Sequence, residues 1–302
     1  MTTSAYLSIA GTRPLGPNGR GSAARVGVAW WIDVGYADHC RRLFPSLELD
    51  VGDLYLLEWF QIAGLPDRVP ERELVQVMLA HGGLREFFLA RYPPLLDYIE
   101  QALAAHSPVD GDELRAAEQA VVWEIAEWIV YEREPDLYDA LSVHDWDVVT
   151  ATADVVSLDG KVVLDAGAGS GHASFAACRL AATVFAMEPV AALRRYMRDK
   201  TVRLGIENLF VLDGFLHAVP LPAASLDVLF TCRAIGWRLP AELREIVRVL
   251  RPGGVAVHLT GQPYPADPDD PLHQALLAGG YQQGTYSEGS STQRKYWKRR
   301  TE

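Results

Sequence analysis

The residues best able to do chemistry stand together at 165–171, where Asp165 and Ala166 are followed by Gly167-Ala168-Gly169-Ser170-Gly171. Glycine at this density leaves backbone amides open to a ligand with no Cβ in the way, and such amides at a strand-to-helix turn suit anionic or polar ligand groups. The spacing is Gly-x-Gly-x-Gly. His172 stands where the dinucleotide fingerprint would need its last glycine, which disfavours a nicotinamide dinucleotide. The next acid, Glu188, comes 21 residues after Gly167 at the end of another apolar run, where a carboxylate can accept both hydroxyls of a ribose. Turn and acid together imply a ligand that contains a nucleoside.

Elements must hold these residues, and the second half of the chain supplies them in alternation. Apolar runs at 161–166 (KVVLDA), 183–188 (TVFAME), 208–213 (NLFVLD), 226–232 (LDVLFTC) and 254–260 (GVAVHLT) read as strands, with helical segments at 172–181, 190–204 and 240–250 between them. That order is the sequence form of a parallel sheet with crossover helices, an α/β fold. A helix at 271–280 and two polar-aromatic stretches, YQQGTYSE and TQRKYWKRR, predict a closing antiparallel strand pair. The first half has few apolar runs of strand length and reads as helical. VGDLYLLEWFQIAG begins it, Pro70 opens ERELVQVMLAH, Gly82-Gly83 stop that segment, and PLLDYIEQALAAH follows Pro93. The longest helix is expected over 112–134, with Leu114, Ala117, Val121, Ile125 and Trp128 on one stripe and Pro135 at its end. A bridging helix is expected near 146–157, and residues 11–22 (GTRPLGPNGRGS) as a loop or arm. Two domains result: 1–145, mainly helical, and 146–302, α/β.

Composition narrows the function classes. Of 302 residues, 49% are hydrophobic and 22% charged, enough to bury a large core. No run of eighteen uncharged apolar residues occurs, so neither a membrane span nor a membrane partner is expected, and the N-terminus does not read as a secretory signal. Cys40, Cys178 and Cys232 are far apart and lack metal-ligand spacing, which predicts no disulfide framework, no metal site and a cytoplasmic location. The net charge is −11, and residues 1–150 alone carry 11 Arg, no Lys and 24 acids. A strongly acidic half argues against nucleic acid as partner, because phosphate contacts need clustered Lys and Arg.

Four stretches in the right order resemble the class I S-adenosylmethionine-dependent methyltransferases: VVLDAGAGSG, the MEP that ends the second strand, VPLPAASLDVLFTCRAIGW, and ELREIVRVLRPGGVAVHL. The resemblance covers about residues 146–302. It implies a Rossmann-like, mostly parallel sheet with a closing antiparallel pair, S-adenosyl-L-methionine as cofactor, and methyl transfer to an oxygen or nitrogen of a small-molecule acceptor. Carried over by position, Gly167, Gly169 and Gly171 would form the turn under the methionine part of the cofactor. Asp165 would orient its amino group directly or through water, and Glu188 would hold the ribose. The family often has an acid directly after the glycine that ends the third strand; here Phe215 follows Gly214, so Phe215 would pack on the adenine and leave polar recognition to backbone or to Asp213.

Methyl transfer from a sulfonium is an in-line displacement, so alignment and water exclusion are the protein's main tasks and a general base is optional. If one is used, His217, after the third strand, and His258, near the carboxyl end of the fifth, lie on the expected ligand side; each also reads as an ordinary hydrogen-bonded histidine. The helical half would form a cap, with at least one of Tyr131, Tyr138, His144 and Trp146 lying in the acceptor pocket; Arg233 and Trp237 are further acceptor candidates. Arg233 reads equally as a salt-bridge partner, His172 as a contact to the cofactor carboxylate or a solvated first-turn residue. The basic run Arg294 to Arg300 reads as an anion contact or as edge-strand charges that block pairing. A homodimer is one candidate assembly. The rival reading is a non-catalytic module that keeps the cofactor turn and uses the helical half as a regulatory or protein-binding surface.

Overall fold

The computed structural model describes residues 36–141 and 146–301. Its described residues divide into two compact units, 36–134 and 135–301. The expected loop at 11–22, and His144, lie outside the described residues.

The first unit is helical, as its proline and glycine punctuation predicts, with the boundaries moved. It contains α1 (Tyr36–Leu43), α2 (Trp59–Arg68), α3 (Glu71–Ala80), α4 (Gly82–Arg91), α5 (Leu96–Ala105), α6 (Gly111–Glu124) and α7 (Ala126–Arg133). The segment from 51 is divided: Val51–Leu56 is a tight 3-10 turn capped by Asp50, and α2 starts afresh at Trp59. Gly82-Gly83 begin α4 rather than ending in a loop, because His81 at φ −116°, ψ 75° makes the turn itself. The long helix expected over 112–134 is two helices. Ile125, at φ −120° and ψ 18°, leaves helical geometry, yet the apolar stripe resumes beyond it, so periodicity alone could not register the break. Pro135 does not simply end a helix; it starts the next, consistent with its preference for the first helical position. Within this unit the buried carboxylate of Glu127 accepts from the hydroxyls of Tyr36 and Tyr131, the latter at 2.5 Å.

The second unit opens with α8 (Pro135–Leu141) and α9 (Val148–Thr152) and then alternates. The order is β1 (Val162–Ala166), α10 (His172–Ala177), β2 (Thr183–Met187), α11 (Ala191–Leu204), β3 (Leu209–Leu212), β4 (Leu226–Cys232), α12 (Leu239–Val249), β5 (Leu250–Pro263), α13 (Pro271–Ala278), β6 (Gln282–Glu288) and β7 (Ser291–Arg299). The seven strands form one sheet in the order β3-β2-β1-β4-β5-β7-β6, parallel from β3 through β5 and antiparallel at β5-β7-β6. Both faces are covered, which is why the parallel strands read as continuous apolar runs rather than alternating ones. Val163, Val184, Phe230 and Val257 face one core with α10, whereas Leu164, Met187, Leu229 and Ala256 face the other with α12 and α13.

The chain turns in opposite directions on leaving β1 and β4, which lie side by side. In open α/β sheets ligands bind outside the carboxyl ends of strands at such a switch point. The closing hairpin alters one expectation. β7 is an interior strand between β5 and β6, so its basic run does not guard an edge. Arg294 pairs with Asp270 at 2.8 Å, Lys295 is buried against Asp154 and the Ala151 carbonyl, and Lys298 and Arg299 donate to the Gly279 and Gly253 carbonyls. These charges are spent within the unit.

Candidate functional site

At the carboxyl ends of β1 and β4 a cleft of about 560 Å³, partly open to solvent, is lined by the turn residues 167–170, by Asp165, His172, Cys232 and Arg233, and by the aromatic rings of Tyr138, Trp146 and Tyr286. Gly167 and Gly169 adopt φ of +78° and +58°. Conformation favours glycine at both and space requires it at the first: a Cβ at Gly167 would fall well inside the contact distance of the Ala234 methyl, whereas one at Gly169 would make a tight 3.1 Å contact with the Tyr138 hydroxyl. The amides of Gly167 and Ala168 donate to the Met187 carbonyl at 2.8 and 3.0 Å, tying the turn to the end of β2.

Two buried carboxylates sit beneath this turn. Asp165 accepts from the Ser174 hydroxyl at 2.6 Å through Oδ2, while its Oδ1 is buried with no hydrogen-bond partner. Burial pushes Asp165 up to about 7, against the opposing pull of the Ser174 bonds. Glu188 accepts from the Val190 and Gly169 amides, each at 2.9 Å, and burial pushes it, too, up to about 7. Each Glu188 oxygen retains a second acceptor position. A buried acceptor without a donor is costly unless a ligand supplies one, so Asp165 is suited to meet an ammonium or a hydroxyl. That orphaned oxygen, under a turn with positive-φ glycine at 167, 169 and 171, fits a zwitterionic nucleoside ligand such as S-adenosylmethionine.

The opposite wall is made by side chains from distant parts of the sequence. Arg233 has φ +62°, an unusual conformation for a residue with a Cβ, and its guanidinium donates to both oxygens of Glu288 at 2.6 Å. Glu288 is fully buried, and the pair reaches across from the end of β4 to the end of β6. The Trp146 ring lies 5.6 Å from that of His172 and 5.7 Å from that of Tyr286, and the Trp146 carbonyl is 3.2 Å from His172 Nε2.

Of the acceptor-side residues expected from sequence, the cleft thus brings together Tyr138, Trp146 and Arg233. Trp237 lies instead at the start of α12, in the loop that Glu242 caps through the Gly236 and Arg238 amides at 2.8 Å. Tyr131 belongs to the helical unit, on Glu127. Asp213 is exposed and paired with Arg194 at 3.1 Å, and the Phe215 ring lies tilted, 5.2 Å from the His217 ring. Burial, then Arg238, lower the His217 pKa. His258 is not near the end of its strand: pairing with β7 carries β5 on to Pro263, which leaves this residue in mid-strand. It is fully buried, its Nδ1 is 2.9 Å from the Thr231 hydroxyl, its ring faces Tyr281, and burial depresses it to about 3. Neither histidine is among the cleft's lining residues. Sequence reasoning missed Ser174, Tyr286 and Glu288. Nothing local marks them, since their partners lie 9 to 55 positions away.

Among the described residues no group of three or more His, Cys, Asp or Glu could hold a metal ion, and no helix is long and apolar enough to cross a membrane.

Residues 164–258 match a family model described as a methyltransferase domain. The malonyl-[acyl-carrier protein] O-methyltransferase of Yersinia pestis is 38% identical over 103 residues, covering 33% of this chain and 37% of that protein. The protein of the same name from Methylovorus sp. (strain MP688) is 32% identical over 142 residues, 43% of this chain and 48% of that one. The chain spans between about a third and a half of the length of the relatives of that name. A crystal structure of a SAM-dependent methyltransferase from Aquifex aeolicus aligns with 54% of this chain and 97% of its own at 19% identity and a TM-score of 0.42.

Proposed function

With a class I S-adenosylmethionine-dependent methyltransferase domain at residues 164–258 as premise, we propose that this chain methylates an oxygen of a small or carrier-borne acceptor. The observation that carries the reading is the buried, unpartnered Oδ1 of Asp165 beneath the positive-φ glycine turn. Gly167 and Gly169 present backbone to the methionine part of the cofactor and Asp165 accepts from its ammonium; Gly171 closes the turn against Phe175 and Met197, and Glu188, behind the turn and outside the cleft's lining, reaches the ribose with the oxygen positions that Val190 and Gly169 leave over. S-adenosylmethionine, when bound, supplies an electrophilic methyl on a sulfonium. The chain's task is then alignment: two well-oriented reactants gain about 7–11 kcal/mol over the same pair free in solution. Tyr138, Trp146 and Tyr286 keep water from that side of the cleft.

Neither His217 nor His258 lines the cleft; the histidine that does, His172, is held at the Trp146 carbonyl, and in this reading Asp165 is taken by the cofactor's ammonium. An acceptor already ionised at neutral pH needs no base, and a carboxylate oxygen is therefore favoured over an alcohol or a protonated amine. The relatives named for malonyl-[acyl-carrier protein] O-methylation support the same chemistry.

The test is transfer of label from methyl-labelled S-adenosylmethionine to a panel of carboxylic acids, free and as carrier-protein thioesters. The expected product is a methyl ester that releases labelled methanol in base. Base-stable label would move the acceptor to nitrogen or to an alcohol. Binding of S-adenosylhomocysteine without turnover on any acceptor would replace the enzyme with a regulatory module.

A further inference from the structure

Beyond the glycine turn and its two acids, one polar cluster in the second unit has no part in the reading above. Asp139, on α8, accepts from the Tyr196 hydroxyl at 2.7 Å and from Lys200 Nζ at 3.0 and 2.8 Å through its two oxygens. Both donors lie on α11, one turn apart, and so share a face. One carboxylate therefore joins two elements, α8 and α11. Lys200 is fixed further, its ammonium 4.9 Å from the Phe175 ring and 5.5 Å from that of Tyr196. The neighbour of Asp139 is Tyr138, a buried residue of the cleft wall whose hydroxyl lies over Gly169. A helix of seven residues is too short to hold its own geometry in water. What anchors α8 therefore bears on the position of Tyr138.

We propose that Asp139 is a positioning residue for the cofactor site: by clamping α8 to Tyr196 and Lys200 of α11 it holds the Tyr138 ring over the glycine turn, where it closes the methionine end of the cofactor pocket. The proposal rests on the cofactor reading and adds to it a residue that acts only through its neighbour. The clamp's donors are one hydroxyl and one ammonium, so loss of the negative charge weakens the bonds to both at once.

The experiment is calorimetric titration of S-adenosylhomocysteine into the full chain and its Asp139→Asn, Tyr138→Ala and doubly substituted forms. Hydrogen exchange of residues 135–141 is followed alongside, without ligand. Asp139→Asn should weaken binding about tenfold with a melting temperature near that of the parent, and exchange should rise across 135–141 but not across β4. Tyr138→Ala should weaken binding at least as much, and adding Asp139→Asn to it should change little further, because the clamp then has nothing left to position. Tyr196→Phe, which removes one donor and keeps the ring, should fall between parent and Asp139→Asn. Fully additive losses would overturn the proposal by giving Asp139 an effect of its own, as would unchanged exchange over 135–141. Failure of the parent chain to bind S-adenosylhomocysteine at all would instead remove the cofactor reading, while the exchange data would still report whether the clamp holds α8.

Discussion

The two walls of the cleft are built by different means. The wall formed by 165–171 is mostly backbone: its amides bond to the Met187 carbonyl and the Glu188 carboxylate, and its shape depends on glycine at φ values other residues avoid. The wall opposite is side chain throughout, with Arg233 locked on Glu288 and three aromatic rings from α8, the segment before α9, and β6. The first can be made only by residues adjacent in sequence. The second can be assembled from any positions the fold brings together. A cofactor common to many reactions needs the first kind of wall, and an acceptor peculiar to one reaction needs the second.

The largest expected effect would break the backbone wall. Gly167→Ala places a methyl inside the Ala234 side chain at a φ of +78°, and binding of S-adenosylhomocysteine should fall at least about 100-fold. Gly205→Ala is the control: its φ of +64° is similar, but open space surrounds it at the end of α11. That substitution should cost about 1–2 kcal/mol of stability, the ordinary penalty of the left-handed region, and leave binding intact. Equal effects of the two on binding would mean that conformation alone, and not the close approach to Ala234, sets the need for glycine.

The same contrast explains what could be read from the sequence. Asp165, the glycines and Glu188 were legible because strand, turn and helix are consecutive, so residue type and spacing carry the geometry. The parallel strands were legible as apolar runs for the reason that both sheet faces are buried. Glu288 gave no signal, since its role depends on pairing of β6 with β7 and on where β4 ends. His258 was misjudged in position because the length of β5 is set by its antiparallel partner β7, which no local feature of 254–260 announces. The break at Ile125 was invisible because an apolar stripe continues through it. Long-range pairing decided each of the first two cases, and a backbone angle without a residue signature decided the third.

Disrupting the side-chain wall should act on the fold before it acts on the cofactor. Glu288→Gln takes from the buried Arg233 guanidinium the carboxylate charge it donates to, which costs roughly 3–5 kcal/mol. Thermal unfolding should shift down by about 10 °C. Cofactor affinity at 15 °C, below the transition, should stay within about threefold of the parent. A loss of affinity as large as that of Gly167→Ala would show that the two walls are not separable.

A smaller effect should follow from removing one acid beneath the turn. Glu188→Ala takes away acceptors for the Gly169 and Val190 amides as well as for the ribose, and should weaken S-adenosylhomocysteine by about 1–3 kcal/mol. Adenosine alone should lose a similar amount, and methionine alone none. A variant that binds both normally would show that the acid serves the turn and not the ligand.

The smallest effect, and the one that separates Asp165 from its surroundings, is in pH. Burial raises Asp165 to about 7, far above its value of about 3.9 in an unfolded chain, and Glu188 is raised in the same direction. The folded, ligand-free protein therefore holds more protons than the unfolded chain between about pH 4 and 7, so acidification through this range stabilises it and a rise through pH 7 removes that gain. Cofactor binding should run the other way, because only the carboxylate form of Asp165 can accept from an ammonium. With a pKa of about 7, about nine in ten of these groups are ionised at pH 8 and about one in ten at pH 6, which predicts about a tenfold loss of S-adenosylhomocysteine affinity on acidification. Unfolding temperature without ligand should rise over the same interval. In Asp165→Asn the affinity should be low at both pH values, and both its fall and the rise in unfolding temperature on acidification should shrink to the share due to Glu188. This variant should also melt above the parent at pH 8, where the parent carries a buried charge with an unpartnered oxygen and the amide does not. Affinity that climbs as the pH falls would mean that Asp165 meets the ligand as a donor, and the ammonium would then have to be held by the other wall.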